Sequence, residues 1–247
     1  MTYNSRRPGT RFAATILCAT ALTCAHSQAQ SPDLEVTARV ELPRSTASPH
    51  SHNTSLPPSV IWLKPLTPGL VIPPTVPPRN GFTLLQKNKM FSPHLLVVPV
   101  GSVVMFPNQD PFFHNVFSLF DGKRFDLGLY EAGKTKAVTF SREGVSYIFC
   151  NIHSEMSAVV ISLSTPLYGI AAPNGVFHLH DVPPGDYEMH IWVEGEQQLV
   201  LDRWVRRIHI SPATRNLGTI VLDSVPAPLS HTNKFGQPYD REPGPQY

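Results

Sequence analysis

Short runs of alternating apolar and polar residues recur along this chain, cut repeatedly by Pro, Gly and Asn. Residues 34–42 (LEVTARVEL) alternate strictly and predict one strand, and residues 59–66 (SVIWLKPL) predict a second. A block of short β-rich runs follows at 82–85, 95–100, 102–106, 136–140, 145–150 and 158–163. A third block begins near residue 166. Residues 175–180 alternate, 182–185 (VPPG) form a turn, and 187–193, 204–210 and 217–222 read as strands. No stretch holds a helical period. Many short strands separated by turn residues predict an all-β chain built from a sandwich or Greek-key barrel. The 26 prolines agree, because a fixed φ and a missing N–H disfavour long helices and suit strand ends and linkers.

Composition marks the boundaries. Residues 45–58 form a Ser/Pro/His linker, 68–80 are proline-rich and extended, and 224–247 are Pro, Ser and polar, which predicts a disordered tail. At the start, Arg6, Arg7 and Arg11 precede an apolar run over 12–25 that is too short to span a bilayer. Small residues at Ser27 and Ala29 then suit a signal peptidase, so residues 1–29 read as a signal peptide and the mature protein as periplasmic. A twin-arginine signal at Ser5-Arg6-Arg7 lacks the following hydrophobic residue, and Ala21-Leu22-Thr23 before Cys24 is a poor lipobox.

Removing residues 1–29 changes the picture twice. The formal charge falls from +2 to −1, which argues against a nucleic-acid partner, and Cys150 becomes the sole cysteine. A single cysteine in an oxidising compartment is either a buried, inert small hydrophobe or a thiolate held by a metal.

The neighbours of Cys150 bear on that choice. Residues 147–158 (YIFCNIHSEMSA) supply thiolate, imidazole and thioether at Cys150, His153 and Met156, three residues apart each time, on a tight loop between two strands. A second imidazole, His114, lies upstream in FPNQDPFFHNVFS, also between strands. A trigonal pair of imidazoles and a thiolate with a weak axial thioether is the blue-copper arrangement. Zinc is the chemical alternative, although structural zinc sites usually show paired Cys or His motifs; an iron–sulfur cluster needs more cysteines. Asp110, Glu143, Glu155 and Asp181 show no paired-acid motif, and phosphate-loop and nucleophile-elbow motifs are absent. His178, His180 and His190 form a weaker candidate for a second metal site, with ordinary surface histidines as the blander reading.

Residues 81–163 resemble the cupredoxins, and most closely the amicyanin type, which carries Cys, two residues, His, two residues, Met on its last inter-strand loop. Cys150-Asn151-Ile152-His153-Ser154-Glu155-Met156 stands in that pattern, and His114-Asn115 matches the upstream ligand and the asparagine after it. The resemblance implies one type 1 copper ion bound by His114, Cys150, His153 and Met156. It also implies that Asn115 braces the cysteine loop by hydrogen bonding. Copper enzymes of this kind join two centres through a His directly after the Cys; Asn151 stands there, so an oxidase or nitrite reductase is not expected.

Gly175-Val176-Phe177 and residues 181–189 (DVPPGDYEM) resemble the carboxypeptidase-regulatory, transthyretin-like β-sandwich. The expected organisation is therefore a signal peptide at 1–29 and a cupredoxin domain at 79–165. The latter is inserted into a second small sandwich split between 30–78 and 166–223, with the tail at 224–247. The function expected is non-enzymatic: a monomeric periplasmic carrier passing single electrons between redox proteins. An amine dehydrogenase or a c-type cytochrome is the partner that the resemblance suggests. Copper storage or delivery, and a metal-free binding module, remain as alternatives.

Overall fold

The computed structural model describes Met1 and residues 33–43, 56–72, 74–75, 77–79, 81–119, 122–223, 226–227 and 231–239. The signal-peptide segment, His50 and His52 lie outside the described residues, Met1 aside. Among the described residues, seventeen strands and one short helix follow in order. They are β1 (Leu34–Glu41), β2 (Ser59–Pro65), β3 (Phe82–Thr83), β4 (Leu85–Lys87), β5 (Met90–Ser92), β6 (Leu95–Pro99) and β7 (Ser102–Pro107). Next come β8 (His114–Ser118), β9 (Phe125–Tyr130), β10 (Thr135–Phe140), β11 (Gly144–Cys150) and β12 (Ser157–Leu163). The last set is β13 (Tyr168–Ile170), β14 (Val176–Val182), β15 (Gly185–Val193), α1 (Gln198–Arg203), β16 (Arg206–Ile210) and β17 (Asn216–Val221). The chain is all-β, as the alternation predicts. Among the described residues no helix is long and apolar enough to cross a membrane.

Strand pairing divides into two sets. The strands from β3 to β12 pair among themselves, in a five-stranded sheet β6-β12-β11-β8-β9, a three-stranded sheet β10-β7-β3 and the hairpin β4-β5. The two earliest strands pair only with strands late in the chain: β1 lies between β14 and β17, and β2 between β13 and β15. The result is a cupredoxin-like Greek-key sandwich next to a second β-sandwich.

The five-stranded sheet is covered on both faces. Strand side chains alternate with period two, and here the two faces enter different cores. Ala158 and Val160 of β12, Ile148 and Cys150 of β11 and Val98 of β6 pack with Leu84, Val104, Phe106 and Phe140. Their neighbours Val159, Ile161, Leu163 and Val97 pack with Ile61, Leu63, Phe177, Tyr187 and Trp192. Burial on both sides explains why β12 reads as a nearly continuous apolar run and not as an alternating one. Polar contacts bridge the same boundary. Trp192 Nε1 donates to Tyr147 Oη at 3.3 Å, Lys64 Nζ lies 3.0 Å from Glu143, and His94 Nε2 lies 2.7 Å from Glu194 Oε1.

Several elements depart from the sequence expectation. The segment around His114 is itself a strand, β8, with all five residues buried. Its partner β9 contains Gly128 at φ +64°, and the register slips between Asn115 and Phe117. That is a β-bulge, where a residue tolerating positive φ is needed. α1 spans only six residues, too few to leave a periodic signal, and is held by burial of Leu201 and a Gln198–Asp202 side-chain hydrogen bond. Residues 231–239, placed by composition in a disordered tail, instead make defined hydrogen bonds to the 150–156 loop.

The His94–Glu194 pair yields a pH prediction. The hydrogen bond that His94 donates to Glu194 raises the pKa of His94 above 6.5, against the opposing effect of burial. A folded pKa above the unfolded one means that the contribution is complete below pH 6.5 and disappears as pH rises through the folded value. Urea midpoints should therefore fall more steeply from pH 6 to 8 in the parent than in His94→Gln. Parallel slopes would show that the pair contributes nothing.

Candidate metal centre

The loop after β11 is short and internally tied. Cys150 N–H donates to Met156 O at 3.2 Å, and Met156 N–H donates to His153 O at 3.2 Å. These two bonds close residues 150–156 into a tight turn before β12. Because β11 pairs with β8 at Cys150↔Val116, the same turn comes to rest beside His114. Cys150, His114 and Met156 are fully buried, while His153 is half-buried on the outer side of the loop.

Three ligand atoms converge. Cys150 Sγ lies 3.7 Å from His114 Nδ1 and 3.5 Å from His153 Nδ1, and the two Nδ1 atoms are 3.2 Å apart. A first-row metal bonded at about 2.3 Å to sulfur and about 2.0 Å to nitrogen, with angles of about 105–120°, sets S···N near 3.4–3.7 Å and N···N near 3.2–3.5 Å. The observed triangle fits those limits. Among the described residues it is the one group of three or more His, Cys, Asp or Glu side chains able to hold an ion. The thioether of Met156 belongs to the same buried cluster as Cys150.

The second nitrogen of His114 is committed elsewhere. Its Nε2 lies 2.8 Å from Asp110 Oδ2, and both side chains are buried. An ionised carboxylate can only accept, so Nε2 carries the proton and the Nδ1 lone pair faces Cys150. Asp110 is fixed in turn by the β4–β5 hairpin. The N–H groups of Asn88 and Lys89, both at positive φ in the two-residue turn, donate to its two oxygens at 2.6 and 3.0 Å. Burial pushes the Asp110 pKa up, but the bonds from Lys89, His114 and Asn88 together outweigh it, and the group is held below its usual value. Asn108 completes the support: its Oδ1 accepts from Asp110 N–H, and its Nδ2 donates to Phe112 O. Sequence reasoning set Asp110 aside because it looked for acids in pairs. A carboxylate four residues before a candidate ligand was the signal available.

Burial pushes the Cys150 thiol pKa up, opposed by the backbone N–H groups of Asn115, Ile152 and His153. A buried thiol of that kind ionises readily only when a cation takes the charge.

Asn115 meets the cysteine loop through its backbone. Its side-chain Nδ2 donates to Asp126 Oδ1 at 2.7 Å and not to the cysteine loop. The loop is met by its backbone, whose carbonyl accepts from Asn151 N–H at 3.2 Å. Asp126, which pairs with Phe117 across the bulge, also accepts from Gly128 N–H through the same oxygen. At the rim, Phe112 packs its ring 5.3 Å from His114 and 5.5 Å from His153, while Phe113 and Ile152 are exposed. Met156 is interior. His178 pairs with Glu35 at 2.9 Å, its ring lies 6.5 Å from His180, and His190 stacks on Trp62; these three do not form a second cluster.

No protein-family profile matches the chain, and no curated protein matches it. Its structural neighbours among solved proteins include cupredoxins. The copper-containing nitrite reductase of Thermus scotoductus is 22% identical over 40% of this chain and 25% of its own, with a TM-score of 0.32. The purple cupredoxin of Nitrosopumilus maritimus is 24% identical over 33% of this chain and 99% of its own, at 0.30. A Cu(I) amicyanin mutant is 17% identical over 35% of this chain and 85% of its own, at 0.33. This chain thus spans a quarter of the nitrite reductase.

The Asp110–His114 bond predicts a measurable loss. Asp110→Ala should weaken Cu(II) binding by about 10–100-fold in chelator competition, the usual effect of removing a carboxylate behind a ligating imidazole. Unchanged affinity would show that Asp110 does not orient the ring.

Proposed function

We propose that this protein is a periplasmic one-electron carrier with a single type 1 copper site. Cys150, the Nδ1 atoms of His114 and His153, and the thioether of Met156 would hold the ion. The observation that carries this reading is the convergence of one sulfur and two imidazole nitrogens at metal-ligand spacing, with His114 and Cys150 fully buried. A copper ion held there supplies a one-electron couple.

The residues would divide the work as follows. Thiolate and thioether favour the cuprous state and the two imidazoles also accommodate the cupric one, so one rigid frame serves both. Asp110 holds His114 in a single tautomer and ring orientation, which removes one source of rearrangement. The half-buried His153, rimmed by Phe112, Phe113 and Ile152, is the nearest ligand edge to solvent and the place where an electron would leave. Copper delivery is the second reading. Full burial of His114, Cys150 and Met156 counts against it, because handing over a metal needs an approach for the acceptor.

Asn151 in place of a histidine after the cysteine leaves no ligand there for a wired second centre, so we read the protein as a carrier and not an enzyme. The flanking strands we read as one split sandwich, 30–78 with 166–223, into which the copper domain at 79–165 is inserted. The pairing of β1 with β14 and β17, and of β2 with β13 and β15, supports that reading. The partner proposed is another periplasmic redox protein, such as an amine dehydrogenase or a c-type cytochrome.

Two substitutions separate the ligand roles. Cys150→Ser should abolish the intense visible band of the copper-loaded protein. Met156→Leu should keep the band and raise the reduction potential, since losing a weak donor destabilises Cu(II) more than Cu(I). A Cys150→Ser protein that stays blue would overturn the ligand assignment.

A further inference from the structure

The segment 231–239 lies along the metal loop and touches it at three separate points. Tyr239 Oη donates to the carbonyl of Cys150 at 2.8 Å. Lys234 N–H donates to Asn151 Oδ1 at 2.8 Å. His231 Nε2 donates to the carbonyl of Ser154 at 2.9 Å, directly after His153. The segment is stiffened from within: the Tyr239 hydroxyl also lies 3.0 Å from His231 Nδ1, and the chain turns through Asn233 N–H donating to Gln237 O.

Two further contacts extend its reach. The His231 ring stacks on Phe149, the residue before Cys150, with centroids 4.0 Å apart. Lys234 Nζ lies 2.7 Å from Asp126 Oδ2, the carboxylate whose other oxygen holds Asn115 beside His114. The segment therefore grips Cys150 itself and residues adjacent to Cys150 and His153, and reaches Asn115 beside His114 through Asp126. It leaves the exposed Phe113 and Ile152 side chains uncovered.

Within the loop, the bonds from Cys150 N–H to Met156 O and from Met156 N–H to His153 O close the turn. Residues 231–239 add three bonds from outside it, one of them to the carbonyl of the ligating cysteine itself. We propose that residues 231–239 are a clasp that positions the 150–156 loop, holding Cys150 and His153 at ligand spacing and slowing loss of the bound ion. His231, Lys234 and Tyr239 are its positioning residues. The inference rests on the metal centre proposed above.

The test uses the chain from residue 30 carrying His231→Ala and Tyr239→Phe together, with Leu199→Ala as control, since Leu199 is 59% exposed and lies outside the segment. Each protein is loaded with Cu(I), and transfer to excess bicinchoninate is followed. Removing both contacts should speed release roughly tenfold, the scale of one to two lost hydrogen bonds, while the control matches the parent. Release at the parental rate, or an equal acceleration in the control, would overturn the clasp.

Alkylation of Cys150 by iodoacetamide in the metal-free proteins provides a readout independent of copper. The double variant should react faster than the parent, and equal rates would overturn the clasp. A parent that takes up no copper would instead overturn the metal centre, leaving the clasp to be judged on alkylation alone.

Discussion

The convergence of two imidazole nitrogens and a cysteine sulfur within 3.7 Å of one another is the contact around which this structure is organised. The two Nδ1 atoms stand 3.2 Å apart, and Asp110 accepts a hydrogen bond from His114 Nε2. With its proton on Nε2, His114 presents a bare Nδ1 acceptor to the second imidazole and the sulfur. The spacing of the three atoms matches that of a first-row metal ion bonded to all of them.

The scaffold serves the same end by burial on both sides. β11 and β12 flank the ligand loop and belong to a sheet whose two faces enter two different cores. Neither strand can shift without disturbing Phe106 and Phe140 on one side or Trp192 and Leu63 on the other. Close packing of this kind resists small displacements, and it holds the ligand loop in place. The support behind His114 follows the same logic at shorter range: the hairpin turn at Asn88 and Lys89 fixes Asp110, and Asp110 fixes the imidazole.

Much of this was legible in the sequence because it is local. Strict alternation at residues 34–41 and the apolar run at 157–163 announced their strands, and the three-residue spacing of Cys150, His153 and Met156 announced the loop. What escaped was set by contacts distant in sequence. β8 is buried on every side chain and so shows no alternation, and β9 is interrupted by the bulge at Gly128. Asp110 gains its meaning only when the fold brings the β4–β5 turn against it. The end of the chain was read from its Pro- and Gly-rich composition as disordered, yet His231, Lys234 and Tyr239 find partners on the metal loop. Two aromatic side chains, Phe235 and Tyr239, within a polar tail were the signal available, since a solvated tail is usually poor in them.

The most direct test of the central claim is the visible absorption and EPR spectrum of the chain from residue 30 after addition of one equivalent of Cu(II). The account predicts an intense blue band and narrow copper hyperfine splitting, the signature of a cysteine thiolate in a trigonal plane with two imidazoles. A colourless protein that retains no stoichiometric copper would contradict it and leave the convergence of His114, Cys150 and His153 without a metal to explain it.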